Sequence, residues 1–248
     1  MKKNIKDSTS SKDADSENSR LAEAKRIYDE ADRNLRNSNK ENRWVIWFLQ
    51  ILKAAQMGLA EAQYEVGVNY RVGIGVKQDA AAAVVWLRRA AEQEYIEAYV
   101  ELGKTYMYGL GGVKVDGVEA FKWFYLAAEA NNPTALYMMG THYLEKCDEM
   151  HAKEAFDYFM RAAKLGEMQA QFEVAVMLYE GEAVAKDMTA AQYWCREAEK
   201  QECDWAMVWH AKRIISGDIE ESCAGEVTTL LKRAAELGNE EAEELLNL

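Results

Sequence analysis

A chain of 248 residues with a formal net charge of −12, 49% hydrophobic residues and a single proline suits a mostly helical protein with enough apolar side chains for a continuous core. The acidic balance argues against nucleic acid and against an anionic membrane surface as partners, because both are gripped by Lys and Arg set against phosphate. The length fits two average domains or one elongated repeat array, so internal repeats have to be sought before anything else.

In chain order, residues 1–20, MKKNIKDSTSSKDADSENSR, are polar and lack the apolar core of a secretory signal, which predicts a disordered tail and a cytoplasmic protein. The apolar run WVIWFLQIL at residues 44–52 spans nine residues, against roughly 20 needed to cross a bilayer. It is expected to be a buried helix, with no membrane as partner. Four cysteines in a chain without an export signal are expected to be reduced thiols.

From residue 59 onward the sequence repeats with a step of about 36 residues, the length of a helix pair. Gly67, Gly103 and Gly140 share a register that Ala175 and Ala211 continue, and Gly73, Gly109, Gly181 and Gly217 share another. The second half of each unit has its own series, Trp86, Trp123, Tyr158 and Trp194, followed by Ala90-Ala91, Ala127-Ala128, Ala162-Ala163, Ala198 and Ala234-Ala235. Five units therefore cover residues 59–238. Residues 21–58 keep the step without the glycine turn, as a degenerate N-terminal capping helix pair would, and residues 239–248 are expected to form a C-terminal capping half-helix.

Within the first unit Ala62, Val66, Gly67 and Tyr70 fall on one helical stripe. A glycine recurring in that stripe, where it weakens the helix, implies a neighbour too close for a Cβ. Trp86 is expected to pack against such small residues. Gly73-Ile74-Gly75 resembles the start of a phosphate loop, but no third glycine and no Lys-Ser/Thr follows. Asp79 instead stands where it would cap the next helix and repel a phosphate. Asp116 with Glu119 has capping-box spacing, and Asn132-Pro133 reads as an N-cap followed by proline at the first helical position.

The pattern AxAQYxxGxxYxxGxGVxxDxxxAxxWxxxAA, residues 60–91, resembles the Sel-one-like repeat (SLR), a relative of the tetratricopeptide repeat. The resemblance covers about five units and implies an all-α fold, a right-handed α-solenoid of antiparallel helix pairs, with adaptor or scaffold roles. The unit at residues 133–166 departs from it by losing the glycine turn, and the last unit replaces both turn and Trp.

No convergent catalytic set is legible. His142, His151 and His210 form no His-Glu-x-x-His pair, and no Gly-x-Ser-x-Gly elbow occurs. Cys195, Cys203 and His210 lack zinc-finger spacing. No cofactor, metal or catalytic residue is assigned. The cysteine-rich branch of the SLR family supplies a remote alternative, a hydrolase with Cys195 as nucleophile and His210 as base, and invites comparison of Cys195 and Cys203 with its paired cysteines. Neither recurs in the other units.

The resemblance places first helices on a concave side, and the face between their packed stripes is the natural groove. It carries Tyr64 and Arg71; Val100 and Lys104; Tyr137 and Thr141; Phe172 and Tyr179; Trp205 and Lys212, with Tyr137, Phe172, Tyr179 and Trp205 as an aromatic floor. The expected function is a non-catalytic protein–protein interaction module, monomeric alone, that binds a protein with a basic surface in this groove. An immunity protein neutralising a bacterial toxin and a secreted effector are the alternatives.

Overall fold

The structure, a computed structural model, describes residues 6–37, 42–146, 149–181, 183–221, 223 and 225–247, with side chains from residue 15 onward except at position 149. Among the described residues there are thirteen α-helices and no strand. The helices are joined by short reversals into antiparallel pairs, the solenoid class expected. The chain divides into two compact units, Met1–Ala127 and Ala128–Leu248.

The first unit holds α1 (Lys6–Asn37), α2 (Arg43–Gln56), α3 (Ala60–Val72), α4 (Ala80–Ala91), α5 (Ile96–Tyr108), a short 3-10 turn (Leu110–Gly112) and most of α6 (Gly117–Glu129). Two expectations are corrected here. Helix α1 reaches back to Lys6, so residues 6–20 are not the disordered tail read from their polarity: no glycine or proline interrupts them, and the helix that follows can propagate into them. Helix α2 is buried on one side only. Trp47, Phe48, Ile51, Ala54 and Ala55 face α1 and α3 through a shared cluster with Ala24, Tyr28, Ala31, Ala62 and Val66, and the Trp47 indole donates to Asp32 at 3.0 Å. Trp44, Val45, Ile46 and Leu49 remain exposed.

The second unit holds α7 (Pro133–Leu144), α8 (Glu149–Lys164), α9 (Met168–Glu180), α10 (Met188–Lys200), α11 (Asp204–Ile215), α12 (Glu226–Glu236) and α13 (Glu240–Leu246). Helices α11 and α12 pack together as a further pair through Met207, Val208, Ala211, Leu231 and Ala234. Helix α13 starts on Asn239, whose side chain accepts from Ala242 N at 3.1 Å.

The turns are built as the sequence implies. Asp79, Asp116, Asn132 and Asp187 each accept the backbone N–H three residues on, at 2.9, 3.0, 3.1 and 2.9 Å. The Asp116–Glu119 box is half made, because Glu119 turns to Arg88 at 2.7 Å. Each of three loops is closed by one backbone hydrogen bond of 2.9 Å, from Asp79 to Tyr70, Asp116 to Tyr106 and Asp187 to Leu178. Gly75 leaves no room for a phosphate or for any side chain: a Cβ there would lie 2.3 Å from the Trp44 carbonyl oxygen. Gly73-Ile74-Gly75 is a helix-to-helix turn.

The interior follows a large-into-small rule, but the large residue is not the Trp. Trp86, Trp123 and Trp194 are only half-buried, whereas the residues that follow, Leu87, Phe124 and Cys195, are fully buried, as is Phe159 after Tyr158. A Cβ added at Gly67 would meet Leu87 at 2.7 Å, at Gly103 it would meet Phe124 at 2.6 Å, and at Gly140 Phe159 at 2.6 Å. In the fourth repeat Ala175 faces the smaller Cys195 in the same cluster, so one extra methyl is matched by a smaller partner. Two buried glutamines add a polar tie that recurs 108 residues apart: Gln63 donates to Ala55 O and accepts from Gln93, as Gln171 donates to Ala163 O and accepts from Gln201.

Second helices end alike. Gly58, Glu94, Asn131, Gly166, Glu202 and Gly238 all have positive φ, between 57° and 98°, and recur at the repeat step. Three of the six are not glycine and hold a left-handed conformation that disfavours a side chain.

Candidate functional site

The expected binding residues lie on first helices, and each unit presents its own set. In the first unit Tyr64 of α3 is half-buried with its ring 5.3 Å from Tyr95, and burial raises its hydroxyl to about 12, with Glu101 adding to the effect. Arg71 forms an ion pair with Glu101 of α5 at 2.6 Å. Lys104 is half-buried, while Val100 is buried at 9% exposure and belongs to the core rather than to a contact surface. Helical periodicity could not separate these two, since both positions border the packed stripe.

In the second unit the structure brings Phe172 and Tyr179 of α9 together through a residue not singled out in the sequence, Trp209 of α11. Trp209 stands edge-on to Phe172 at 6.3 Å and to Tyr179 at 5.1 Å. Arg213, also missed, lies over both Tyr179 and Trp209 at 5.2 and 5.7 Å. The Tyr179 hydroxyl accepts from Arg213 at 3.2 Å and donates to Asp218 at 2.9 Å, and Lys186 covers the same ring at 4.6 Å. The Ser216 hydroxyl, followed by Tyr179, holds the Asp218 carboxyl below its usual range. Trp205, one turn before Trp209, is 66% exposed. The spacing Trp205, Trp209, Arg213 puts all three on one face of α11, the signal that would have found the two missed residues.

Tyr137 and Thr141 of α7 do not join this group. The Tyr137 ring packs 5.7 Å from Phe159, and the Thr141 hydroxyl donates to the Tyr137 carbonyl at 3.0 Å. Lys212 pairs with Glu241 of α13 at 2.7 Å. Two carboxyls on first helices, Glu65 in the first unit and Glu173 in the second, are raised by burial, with nearby acids reinforcing the effect.

A third cluster lies between α10 and α11. Cys195, Glu199 and His210 place one ligand-type atom each within 4.8 Å of one another. The sulfur of Cys195 lies 3.5 Å from Glu199 Oε1 and 3.5 Å from Ala206 O, and His210 Nδ1 lies 2.7 Å from the same Glu199 oxygen. Cys195 and His210 are 0% exposed, and burial, followed by the Glu199 charge, pushes the thiol up. A nucleophile must reach substrate as thiolate, so the burial of Cys195 argues against it as the nucleophile of a hydrolase. Cys195 and Cys203 are free buried thiols. No helix among the described residues is long and apolar enough to cross a membrane.

The Sel1 repeat family model matches residues 60–95, 96–132, 133–167 and 169–203, more than half of the chain. The chain belongs to the Sel1 repeat family. Sel1 repeats are generally non-catalytic and typically mediate protein–protein interaction. The Sel1 repeat chain is 34% identical over 131 residues to chitin synthase regulatory factor 2 of Schizosaccharomyces pombe, covering 49% of this chain and 26% of that protein. It spans less than a third of the length of the curated relatives it matches. Among solved structures, a protective antigen of uropathogenic Escherichia coli with an SLR fold superposes with a TM-score of 0.77 at 26% identity, over 90% of this chain and 48% of that one. A Sel1 repeat protein of Oxalobacter formigenes gives 0.74 at 25% identity, over 92% and 86%.

Proposed function

We propose that this Sel1 repeat protein is an adaptor whose partner docks on the first-helix face of its second unit, with Trp205 as the anchor and Phe172, Tyr179 and Trp209 as the surface beside it. The exposure of Trp205 carries the reading. An indole two-thirds in water leaves a large apolar surface unburied, and aromatic anchors of this kind dominate binding energy once covered. The partner presents a basic surface: the chain carries a net charge of −12, which steers a cationic protein toward it. The role of the matched yeast relative as a regulatory factor supports an adaptor over a catalyst.

A photo-crosslinking amino acid at position 205 tests the proposal in the native cell, with position 193 as control. Tyr193 is 55% exposed but lies on the second helix α10. Capture of one protein from position 205 and not from 193 is the expected result. Equal capture from both, or none from 205, overturns the assignment of the face.

A further inference from the structure

Three sequence positions recur from repeat to repeat at a fixed spacing: a second-helix residue, the residue four later, and a first-helix residue fifteen later. In the first three repeats they are Leu87, Ala91 and Leu102; Phe124, Ala128 and Met139; and Phe159, Ala163 and Val174. All nine are buried and apolar. In the fourth repeat all three change together, to Cys195, Glu199 and His210, and these are the side chains whose sulfur, oxygen and nitrogen converge within 4.8 Å.

Packing against Ala175 accounts for a small residue at Cys195, but not for Glu199 and His210. Cys195 and His210 are fully buried and the Glu199 side chain is 14% exposed. His210 Nε2 has no hydrogen-bond partner, a loss that an aliphatic residue would avoid. We infer that Cys195, Glu199 and His210 form a binding site for a divalent metal ion of the zinc class at the α10–α11 joint. Sulfur, carboxylate and imidazole together are the donor set of zinc. Tetrahedral zinc holds sulfur and oxygen ligands about 3.6 Å apart and nitrogen and oxygen ligands about 3.4 Å apart. The Cys195–Glu199 separation of 3.5 Å already matches, and the His210–Glu199 separation of 2.7 Å has to open by less than an ångström. On binding, the Cys195 S–H bond breaks, its electron pair goes to the metal and the proton to solvent. His210 offers the Nδ1 lone pair with its proton on Nε2, and Glu199, the one partly exposed member, is the side chain through which the ion enters.

Cobalt(II) is the probe, added to the full chain after dialysis against a chelator. Saturation at one ion per chain with a near-ultraviolet thiolate-to-cobalt band, displacement by zinc, and a rise in melting temperature on adding zinc are expected. Cys195→Ala should abolish the band, and Glu199→Ala and His210→Val should weaken binding at least tenfold. The last two install residues that other joints carry, so they keep the fold, which circular dichroism checks. Cys223→Ser, at an exposed thiol, should change nothing. Absence of the band, its survival in Cys195→Ala, undiminished affinity in His210→Val or loss of binding in Cys223→Ser overturns the site.

Discussion

Phe159 occupies the space that a side chain at position 140 would need: a Cβ on Gly140 would stand 2.6 Å from two atoms of the Phe159 ring. Gly140→Ala should therefore destabilise by about 1–3 kcal/mol through overpacking, even though alanine favours the helix. A smaller Phe159 should absorb part of the strain, so the penalty of Gly140→Ala should shrink in a Phe159→Leu background. A double-mutant cycle by urea denaturation measures the coupling. Additive effects would mean that the two positions do not touch.

The same relationship ranks the anchors of the first unit. Phe124 is fully buried against Gly103, and Phe124→Ala should cost about 3–5 kcal/mol. Trp123 is half-buried, stacked on Tyr99 at 5.9 Å with Arg88 over its ring, and its loss should cost less. Thermal melts of the two variants give the order directly.

Asp187 caps α10 by accepting from Ala190 at 2.9 Å. Asp187→Ala should lower stability by about 1 kcal/mol, and Asp187→Asn should retain most of it. Equal losses in the two variants would assign the effect to charge rather than to the cap.

Burial raises the Glu65 carboxyl, so the folded state holds its proton more tightly than the unfolded chain does. The associated stability is present below the ordinary glutamate value of about 4.3 and is lost as pH rises through the folded value. Glu65→Gln should thus raise the melting temperature at pH 7 and have little effect near pH 4. A gain that is the same at both values would refute the titration.

Alkylation followed by mass mapping should separate the three thiols among the described residues. Cys223 is exposed and Cys195 and Cys203 are buried, so Cys223 should be labelled in the folded protein and the other two only after denaturation. Early labelling of Cys195 would revive it as a reactive group.

Much of the fold was legible because it repeats: a register shared by Gly67, Gly103 and Gly140 fixed the helix pairs, and Asp79 and Asn132 marked their starts. What escaped was which neighbour fills the space at those glycines. Trp and the residue after it have the same period, and only the helix rotation in the structure shows that Leu87, Phe124 and Phe159 point inward. The faces were harder, since an aromatic residue beside a packed stripe reads the same whether it ends in water, as Trp205 does, or against a neighbour, as Tyr137 does. The Cys195, Glu199 and His210 cluster was visible only as a break in the pattern, because fifteen residues of separation become proximity only once α10 and α11 are paired.

The shared left-handed residue at the end of every second helix makes the chain interchangeable at those points. Removing residues 167–202 would join Gly166 to Cys203, leaving the chain at the same torsion and entering the same kind of first helix. Gain or loss of a whole repeat is thus a cut between two equivalent bonds, and the number of repeats can drift while every surviving turn keeps its geometry. Such an excision would also remove Cys195 and Glu199 in one step, so a shortened chain would lose its most unusual joint and keep its fold.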